Sequence, residues 1–331
     1  MSPLLDLAEL KDSAEFKDSL ELVTAIGQGE NLEENQSKVY QFLHEVVLSL
    51  KDEKTMELKK IKNLIKIADN YLIKYKDFEK SQLGHLISTL HQLTRDDINW
   101  KTFFFHKFDE SFAINIDSKQ RLDVGEFYKS YYKESIPVFI TESSRKLLWT
   151  MNEIAFIFEN RYFPVEIGDK YTSDDWEQQI MSMKDFFQTF MVVNPSKIGY
   201  IAQFSFFQLN PGLKKDFTML DYAALSENEV EVNFWLGPAN TISPFHYDNK
   251  DNIFWQQDGA KQFFMLSPIV DLPLCPGFTN TSLIKPSEVQ KQFKHKLIQL
   301  TILPGQILYI PKGWWHYVQS ITPSLSISNW F

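Results

Sequence analysis

The sequence predicts an α+β fold, in which a helical region over residues 1–115 precedes a β-rich domain over residues 116–331. In the first part, LKKIKNLIKIADNYLIKY places apolar residues at three- and four-residue spacing, the period of an amphipathic helix. After about residue 115, short β-like runs such as EVEVNFWLGP, KQFFMLSP and QILYIP alternate with turn residues. Many short strands joined by tight turns favour a sandwich or a closed antiparallel barrel such as a jelly roll.

The helical region shows the same period in a second segment, SKVYQFLHEVVLSL. GQGENLEENQ predicts a loop, and DFEKSQLGH predicts a break near its glycine. Three histidines, His44, His85 and His91, lie within the helical patterns, so we expect packing or surface roles for them. The pattern leaves open whether this region forms a dimer or docks a substrate.

Turn and helix signals also occur inside the β-rich domain. Asp258-Gly259 and Pro304-Gly305 each stand between two β-like runs and predict hairpins. Two segments, SRKLLWTMNEIAFIFEN and DDWEQQIMSMKDFFQTFM, predict helices that flank the strands.

Composition narrows the class of protein. The 331 residues include 28 Phe, 13 Tyr and 8 Trp, an aromatic content that favours β-rich packing or aromatic-lined pockets. No apolar run approaches the roughly 20 residues that span a bilayer, and the N-terminus is acidic where a secretory signal is basic. We therefore expect a soluble protein of the nucleus, the cytoplasm or both, with no membrane partner.

Charge and cysteine content restrict the partners and the metal chemistry. The net charge of −9 is a weak argument against direct nucleic-acid binding and for a basic protein or peptide partner, because a solvated acidic surface is the preferred explanation. The single cysteine, Cys275, leaves no internal disulfide and no cysteine-based zinc site. A bound metal would therefore have nitrogen and oxygen ligands.

A candidate metal site lies in SPFHYDNKDN, where His246 and Asp248 stand two positions apart and share one face if the segment is a strand. Alone this is a weak signal, because roughly one such pair is expected by chance in this composition. However, His316 follows the turn PKG and begins HYVQSI, a plausible neighbour of the His246 strand. Two imidazoles and one carboxylate form the facial triad of non-haem Fe(II) oxygenases, which leaves positions for a 2-oxo acid and O2.

A 2-oxoglutarate co-substrate also needs a cation at its distal carboxylate, because an unpaired buried charge is costly. Lys261 lies just after the Asp258-Gly259 turn and is the candidate. Spacing alone leaves the alternative that Lys261 is an exposed hairpin lysine.

The segments VNFWLGPANTISPFHYDNKDNIFWQQDGAKQFFMLSP and LPGQILYIPKGWWHYVQSITPSLSIS resemble the JmjC-domain 2-oxoglutarate oxygenases, and in particular their small hydroxylase branch. The likeness begins at about residue 118 with IPVFITE, GYIAQFSFF and related motifs that recur in order, and it runs to residue 331. It implies a cupin-like double-stranded β-helix barrel with flanking helices. Asn329 departs from the family, where an aromatic residue is common.

The resemblance implies roles for individual residues. His246, Asp248 and His316 match the family's iron ligands and catalytic centre. Four residues match its 2-oxoglutarate contacts, Lys261, Ser243 and Tyr200 at the distal carboxylate and Asn252 near the other end. The implied cofactors and co-substrates are Fe(II), 2-oxoglutarate and O2.

Three further residues, Glu166, Trp176 and Trp235, match the family's substrate pocket. A carboxylate between indole faces suits a guanidinium, which pairs with carboxylates and stacks on aromatic rings. Core packing is the alternative for each tryptophan.

The resemblance implies a protein hydroxylase, with an arginyl side chain as the expected target and succinate and CO2 as co-products. Asp248 stands where JmjC histone demethylases more often have glutamate, and one cysteine does not suffice for the zinc readers that many of them have. The first alternative is demethylation of histone N-methyl-lysine, and the second is a binding module without catalysis.

Overall fold

The structure, a computed structural model, covers most of the β-rich domain and part of the helical region. It describes residues 4–14, 16–17, 19–21, 46–48, 50–51, 55–74, 82–92, 94, 112–142, 148–168, 170, 172, 175–192, 195–226 and 229–331. In this part of the chain, no helix combines the length and the apolar character needed to cross a bilayer.

The helices lie mainly in the N-terminal region and between the first strands of the β-rich domain. They include α1 Ala8–Asp12, α2 Leu58–Lys74, α3 Gln82–Gln92, α4 Val124–Phe127, α5 Met151–Ile157, α6 Met183–Phe190, α7 Phe206–Leu209 and α8 Pro286–Phe293. A π-helical turn at Tyr128–Tyr132 continues α4, and 3-10 turns occupy Pro211–Lys215 and Ala223–Leu225.

The strands extend from the N-terminus to residue 330. They are β1 Leu4–Asp6, β2 Thr55–Glu57, β3 Ala113–Ile114, β4 Asp117–Lys119, β5 Val138–Ile140, β6 Tyr162–Ile167, β7 Glu177–Ser182, β8 Gly199–Phe204, β9 Glu231–Gly237, β10 Ile242–His246, β11 Asn252–Asp258, β12 Lys261–Leu266, β13 Thr281–Ser282, β14 Ile298–Ile302, β15 Ile307–Ile310, β16 Trp315–Ser320 and β17 Ser324–Trp330.

Two facing sheets form the β-rich domain. One has the order β13-β10-β16-β12-β14-β3 and the other β4-β5-β15-β11-β17-β9-β8-β6-β7. Phe263 and Leu300 of the first pack against Phe254 and Leu308 of the second in a shared core. This confirms the α+β, cupin-like fold class. Over the described residues the two sheets share no strand, so they face each other without closing into one barrel.

Chain crossings between the sheets replace the two predicted hairpins. Asp258-Gly259 joins β11 to β12 and Pro304-Gly305 joins β14 to β15, and in both cases the two strands belong to different sheets. The hairpin predictions are therefore wrong. Gly259 has φ +68°, and a Cβ there would lie 1.9 Å from the carbonyl oxygen of Pro323, so this crossing requires glycine.

The helical pattern of LKKIKNLIKIADNYLIKY is confirmed by α2, which buries Ile61, Ile65 and Leu72 on one face. The predicted break in DFEKSQLGH falls where α2 has ended at Lys74 and α3 begins at Gln82, but residues 75–81 lie outside the described part of the chain. Gly84 itself lies within α3. A Cβ at Gly84 would stand 3.0 Å from the ring of Pro211, so close packing explains this glycine. GQGENLEENQ, His44 and most of SKVYQFLHEVVLSL lie outside the described residues.

The main hydrophobic core joins the N-terminal helices to the nine-stranded sheet. It contains Ile65 of α2 and Leu86 of α3 together with Phe163 of β6 and Ile327 of β17. The predicted domain boundary at residue 115 stays a prediction, since residues 95–111 lie outside the described part of the chain.

A buried ion pair reinforces this junction. Arg161 and Asp69 are 1% and 0% exposed, and the guanidinium donates to both carboxylate oxygens at 2.7–3.0 Å. Asp69 also accepts the backbone N–H of Tyr162 at 2.8 Å, and Arg161 donates to the hydroxyl of Ser88 at 3.1 Å. The first residue of β6 is thereby held by a side chain of α2.

The two predicted flanking helices are only partly helical. In the first, α5 begins with a capping box of Thr150 and Glu153. In the second, EQQIMS forms β7 and only the following residues form α6. Pairing with β6 over Tyr162–Ile167 accounts for the difference, because tertiary strand pairing overrides local helical propensity.

Candidate active site

A cavity between the two sheets contains the predicted metal site. Both sheets contribute side chains, which come chiefly from β10, β12 and β16 on one side and from β9, β11 and β17 on the other. The lining residues are Tyr200, Trp235, Ser243, His246, Asp248, Asn252, Phe254, Lys261, Phe263, Ile310, His316, Val318, Ser328 and Trp330.

The three predicted iron ligands converge at this cavity. His246 and His316 are directly opposite each other on β10 and β16, and their ring centroids are 4.1 Å apart. Asp248 lies beyond the end of β10, so the prediction that it shares a strand face with His246 is wrong. Its carbonyl accepts the N–H of Gly313 at 2.8 Å. One candidate ligand atom from each of the three residues lies within 4.8 Å of the other two.

Hydrogen bonds orient both imidazoles for metal binding. Nδ1 of His246 lies 2.7 Å from the carbonyl oxygen of Pro244, and Nδ1 of His316 lies 2.9 Å from that of Trp314. A carbonyl only accepts, so each Nδ1 carries the proton and each Nε2 keeps a free lone pair. Burial and the neighbouring His246 lower the pKa of His316, which favours the neutral ligating form. This donor set fits Fe(II).

Lys261 is buried beside the cavity and has no counter-charge among the described residues. The residue is 1% exposed, which makes the exposed-hairpin alternative wrong. Its Nζ donates to the hydroxyl of Tyr200 at 3.0 Å and lies 5.6 Å from the ring centroid of Phe254. No ion pair joins it to a carboxylate of the described residues, and burial lowers its pKa to about 7. The distal carboxylate of a 2-oxo diacid fits beside it.

The structure also brings Ser328 and Trp330 to the cavity, which sequence reasoning missed. Trp330 Nε1 and Asn252 Oδ1 are buried and have no hydrogen-bond partner among the described residues. Asn252 Nδ2 lies 3.4 Å from Ser328 Oγ. The alternation in SLSISNW was an available signal, because it places Ser328 and Trp330 on one strand face and Leu325 and Ile327 on the other.

Glu166 and Trp176 line a second pocket beside this cavity. Glu166 is paired with Tyr200 between β6 and β8, and Tyr200 lines both spaces. Burial raises the pKa of Glu166, whereas a hydrogen bond from the Trp176 side chain opposes the rise. Trp176 is 37% exposed, so core packing does not explain it.

Trp235 lies in the metal cavity and not in the Glu166 pocket. Its indole N–H donates to Ser328 Oγ at 3.0 Å, and its ring centroid is 6.0 Å from that of Tyr200. The three predicted substrate residues are thus divided between two adjoining spaces, with Tyr200 between them.

Most of the sequence matches a known protein family. Residues 24–331 match the family described as cupin-like domain. The chain belongs to the cupin-like domain family. Jumonji C domain-containing protein 5 of Drosophila melanogaster is 37% identical over 198 residues, which cover 55% of this chain and 49% of that protein.

Two further relatives of this cupin-like chain have demethylase names. Lysine-specific demethylase 8 of Xenopus tropicalis is 35% identical over 196 residues, 55% of this chain and 44% of the relative. A lysine-specific demethylase of Arabidopsis thaliana is 30% identical over 234 residues, 65% of this chain and 54% of the relative. The chain thus spans about half the length of these curated relatives. The resemblance to JmjC oxygenases is confirmed, and membership of this group implies Fe(II) and 2-oxoglutarate.

Proposed function

We propose that this cupin-like chain is an Fe(II)- and 2-oxoglutarate-dependent dioxygenase that hydroxylates an arginyl side chain of a protein, with succinate and CO2 as co-products. The observation that supports it most is the convergence of His246, Asp248 and His316 in a cavity that also holds the unpaired Lys261. Bound at these three residues, Fe(II) would activate O2, the oxidant, and so couple oxidative decarboxylation of the 2-oxo acid, which takes one oxygen atom, to insertion of the other oxygen atom into a C–H bond.

The residues of the chain bind and orient the co-substrate. Lys261 and the hydroxyl of Tyr200 receive the distal carboxylate, near Ser243. The indole N–H of Trp330, which has no partner among the described residues, can donate to the co-substrate, and Asn252 lines the same cavity. The facing sheets exclude bulk water, which strengthens each of these polar contacts.

Glu166 supports arginine as the target. Its carboxylate is desolvated, and no ion pair joins it to a lysine or arginine in the part of the chain that is described. A guanidinium stays protonated at all physiological pH values, so its arrival would hold Glu166 ionised and complete the missing pair. The indole of Trp176, which forms a hydrogen bond to Glu166, offers a face for stacking in the same pocket, whereas Trp235 lies in the metal cavity beside Tyr200.

Lysine demethylation is the second candidate, because the names of two relatives specify that activity. Hydroxylation of an N-methyl group gives an unstable product that releases formaldehyde, whereas hydroxylation of an arginyl carbon gives a stable product. Mass analysis for one added oxygen, together with a formaldehyde assay, separates the two activities. A binding module without catalysis is disfavoured, because the triad and Lys261 are all present.

The Glu166→Gln variant tests the target. We expect the KM for an arginine peptide to rise about 10- to 100-fold, since a charge-assisted hydrogen bond is lost. Uncoupled 2-oxoglutarate turnover should change little, because Glu166 does not line the metal cavity. The matched control is Glu177→Gln, an exposed carboxylate on the adjoining strand β7. Unchanged arginine oxidation in Glu166→Gln would contradict the proposed target.

Lys261 gives a prediction about pH. With a pKa of about 7, Lys261 is largely neutral in the free protein at pH 8. A bound carboxylate raises that pKa, so binding takes up a proton and the affinity for 2-oxoglutarate falls as pH rises above 7. Calorimetry of the Fe(II)-loaded protein without O2, in two buffers of different ionisation enthalpy, measures the uptake. Equal uptake by Lys261→Met would show that another group is responsible.

A further inference from the structure

A groove of about 660 Å³ lies on the outer face of the six-stranded sheet. Its floor contains Gln262, Tyr317 and Gln319, which alternate along β12 and β16 with residues that face the metal cavity. The segment from Leu283 to Ser287, which leads into α8, forms one wall. The volume falls within the range of ligand clefts.

The groove adjoins the Glu166 pocket. Lys170, Ile198 and Ile242 line both spaces. Tyr200 in turn lines both the Glu166 pocket and the metal cavity. A peptide whose arginine occupies the Glu166 pocket therefore has its neighbouring residues at the groove.

The charged side chains that line the groove are positive, whereas the chain as a whole is negative. Lys170 and Lys285 line it, and no carboxylate does so among the described residues, although the chain has a net charge of −9. Among the described residues, no ion pair joins Lys170 to Glu166, although both line the Glu166 pocket. Gln262 and Gln319 lie directly opposite each other on β12 and β16 and offer amide groups to a peptide main chain.

The groove also has apolar contact area. Leu283 is 43% exposed at its wall, and Phe264 and Ile284 lie below it. A groove that combines apolar contact area with a few amides and two cations fits an extended peptide with an acidic side chain better than it fits a basic peptide.

We propose that this groove binds the segment of the substrate next to the target arginine, and that Lys170 and Lys285 select an acidic residue in that segment. The inference rests on the proposed arginyl hydroxylase function. It narrows the substrate class to proteins in which an acidic residue accompanies the modified arginine.

The test uses matched peptides that contain one arginine and either glutamate or glutamine at successive positions on each side of it. At one or more positions, the glutamate peptide should have a lower KM, by about 2- to 5-fold for each lysine engaged, at similar kcat. The preference should shrink as ionic strength rises. A Lys170→Glu/Lys285→Glu variant should reverse it, whereas Lys294→Glu, an exposed change just after α8, should not.

The outcomes separate this proposal from the function on which it rests. Peptide binding to the Fe(II)-loaded protein without O2, followed by fluorescence anisotropy, reports the charge preference independently of turnover. A preference for acid without arginine hydroxylation contradicts the hydroxylase function and supports the groove. Hydroxylation with equal KM for both peptides, or a preference that survives Lys170→Glu/Lys285→Glu, overturns the groove assignment.

Discussion

Replacing His246 with alanine is expected to abolish both iron binding and 2-oxoglutarate turnover. The change removes one of two imidazoles whose ring centroids are 4.1 Å apart and leaves His316 and Asp248 as an incomplete ligand set. Loss of an outer-shell partner already costs about 10- to 100-fold in metal affinity or activity, so loss of a ligand should exceed that range. Metal analysis after dialysis and an assay of 2-oxoglutarate consumption measure the two effects.

A matched control is His295→Ala, which removes an exposed imidazole beyond α8. It should leave iron content and turnover unchanged. If His246→Ala kept both iron and turnover, the assignment of His246, Asp248 and His316 as the metal centre would be refuted. Circular dichroism of each variant distinguishes loss of metal from loss of fold. A variant that binds no metal but retains its β-sheet signal is folded and lacks only the metal site.

The candidate metal site could be predicted from the sequence because its geometry depends on one local register. His246 ends a strand, His316 lies near the start of another, and antiparallel pairing places them opposite each other. The sequence predicted the position of Asp248 less well, because β10 ends at His246 and the carboxylate reaches the site from the segment after that strand. The two-residue spacing correctly predicted that His246 and Asp248 lie close together, but it wrongly predicted that they share a strand.

The path of the chain between the sheets could not be read in the same way. An Asp-Gly turn has the same local chemistry whether its flanking strands pair with each other or diverge into separate sheets. At Gly259, the contact of the turn with the carbonyl of Pro323, more than sixty positions later, accompanies the crossing between sheets. Local sequence does not reveal this contact. Such long-range contacts also explain why EQQIMS, helical by pattern, forms β7 against β6.

Sequence patterns likewise do not predict the ion pair between Arg161 and Asp69. The two residues are 92 positions apart, and neither belongs to a recognisable motif. The aspartate occupies the buried face of α2, where amphipathic periodicity predicts an apolar residue. A charge in that position indicates a buried partner, but the sequence alone does not identify which basic residue supplies it.

The Asp69→Asn variant is therefore expected to destabilise the protein by about 3–5 kcal/mol, because it leaves the guanidinium of Arg161 buried without a counter-charge. Urea denaturation measures the loss. Asp12→Asn, which removes an exposed partner of Lys17, is the control and should have little effect. A double variant, Asp69→Leu/Arg161→Met, should recover much of the stability, since it removes both charges together.

The same variants test whether the helical region supports the substrate side of the site. Asp69 accepts the N–H of Tyr162, the first residue of β6, and Glu166 lies four positions later on that strand. In the double variant that N–H also loses its acceptor, so the arginine-peptide KM should rise even where stability is recovered. The 2-oxoglutarate KM should stay near its original value, because Lys261, His246 and His316 lie on other strands and Asp248 lies on the segment after β10. If the double variant had normal kinetics for both substrates, the ion pair would contribute to stability only. The contact between α2 and β6 would then have no role in positioning Glu166.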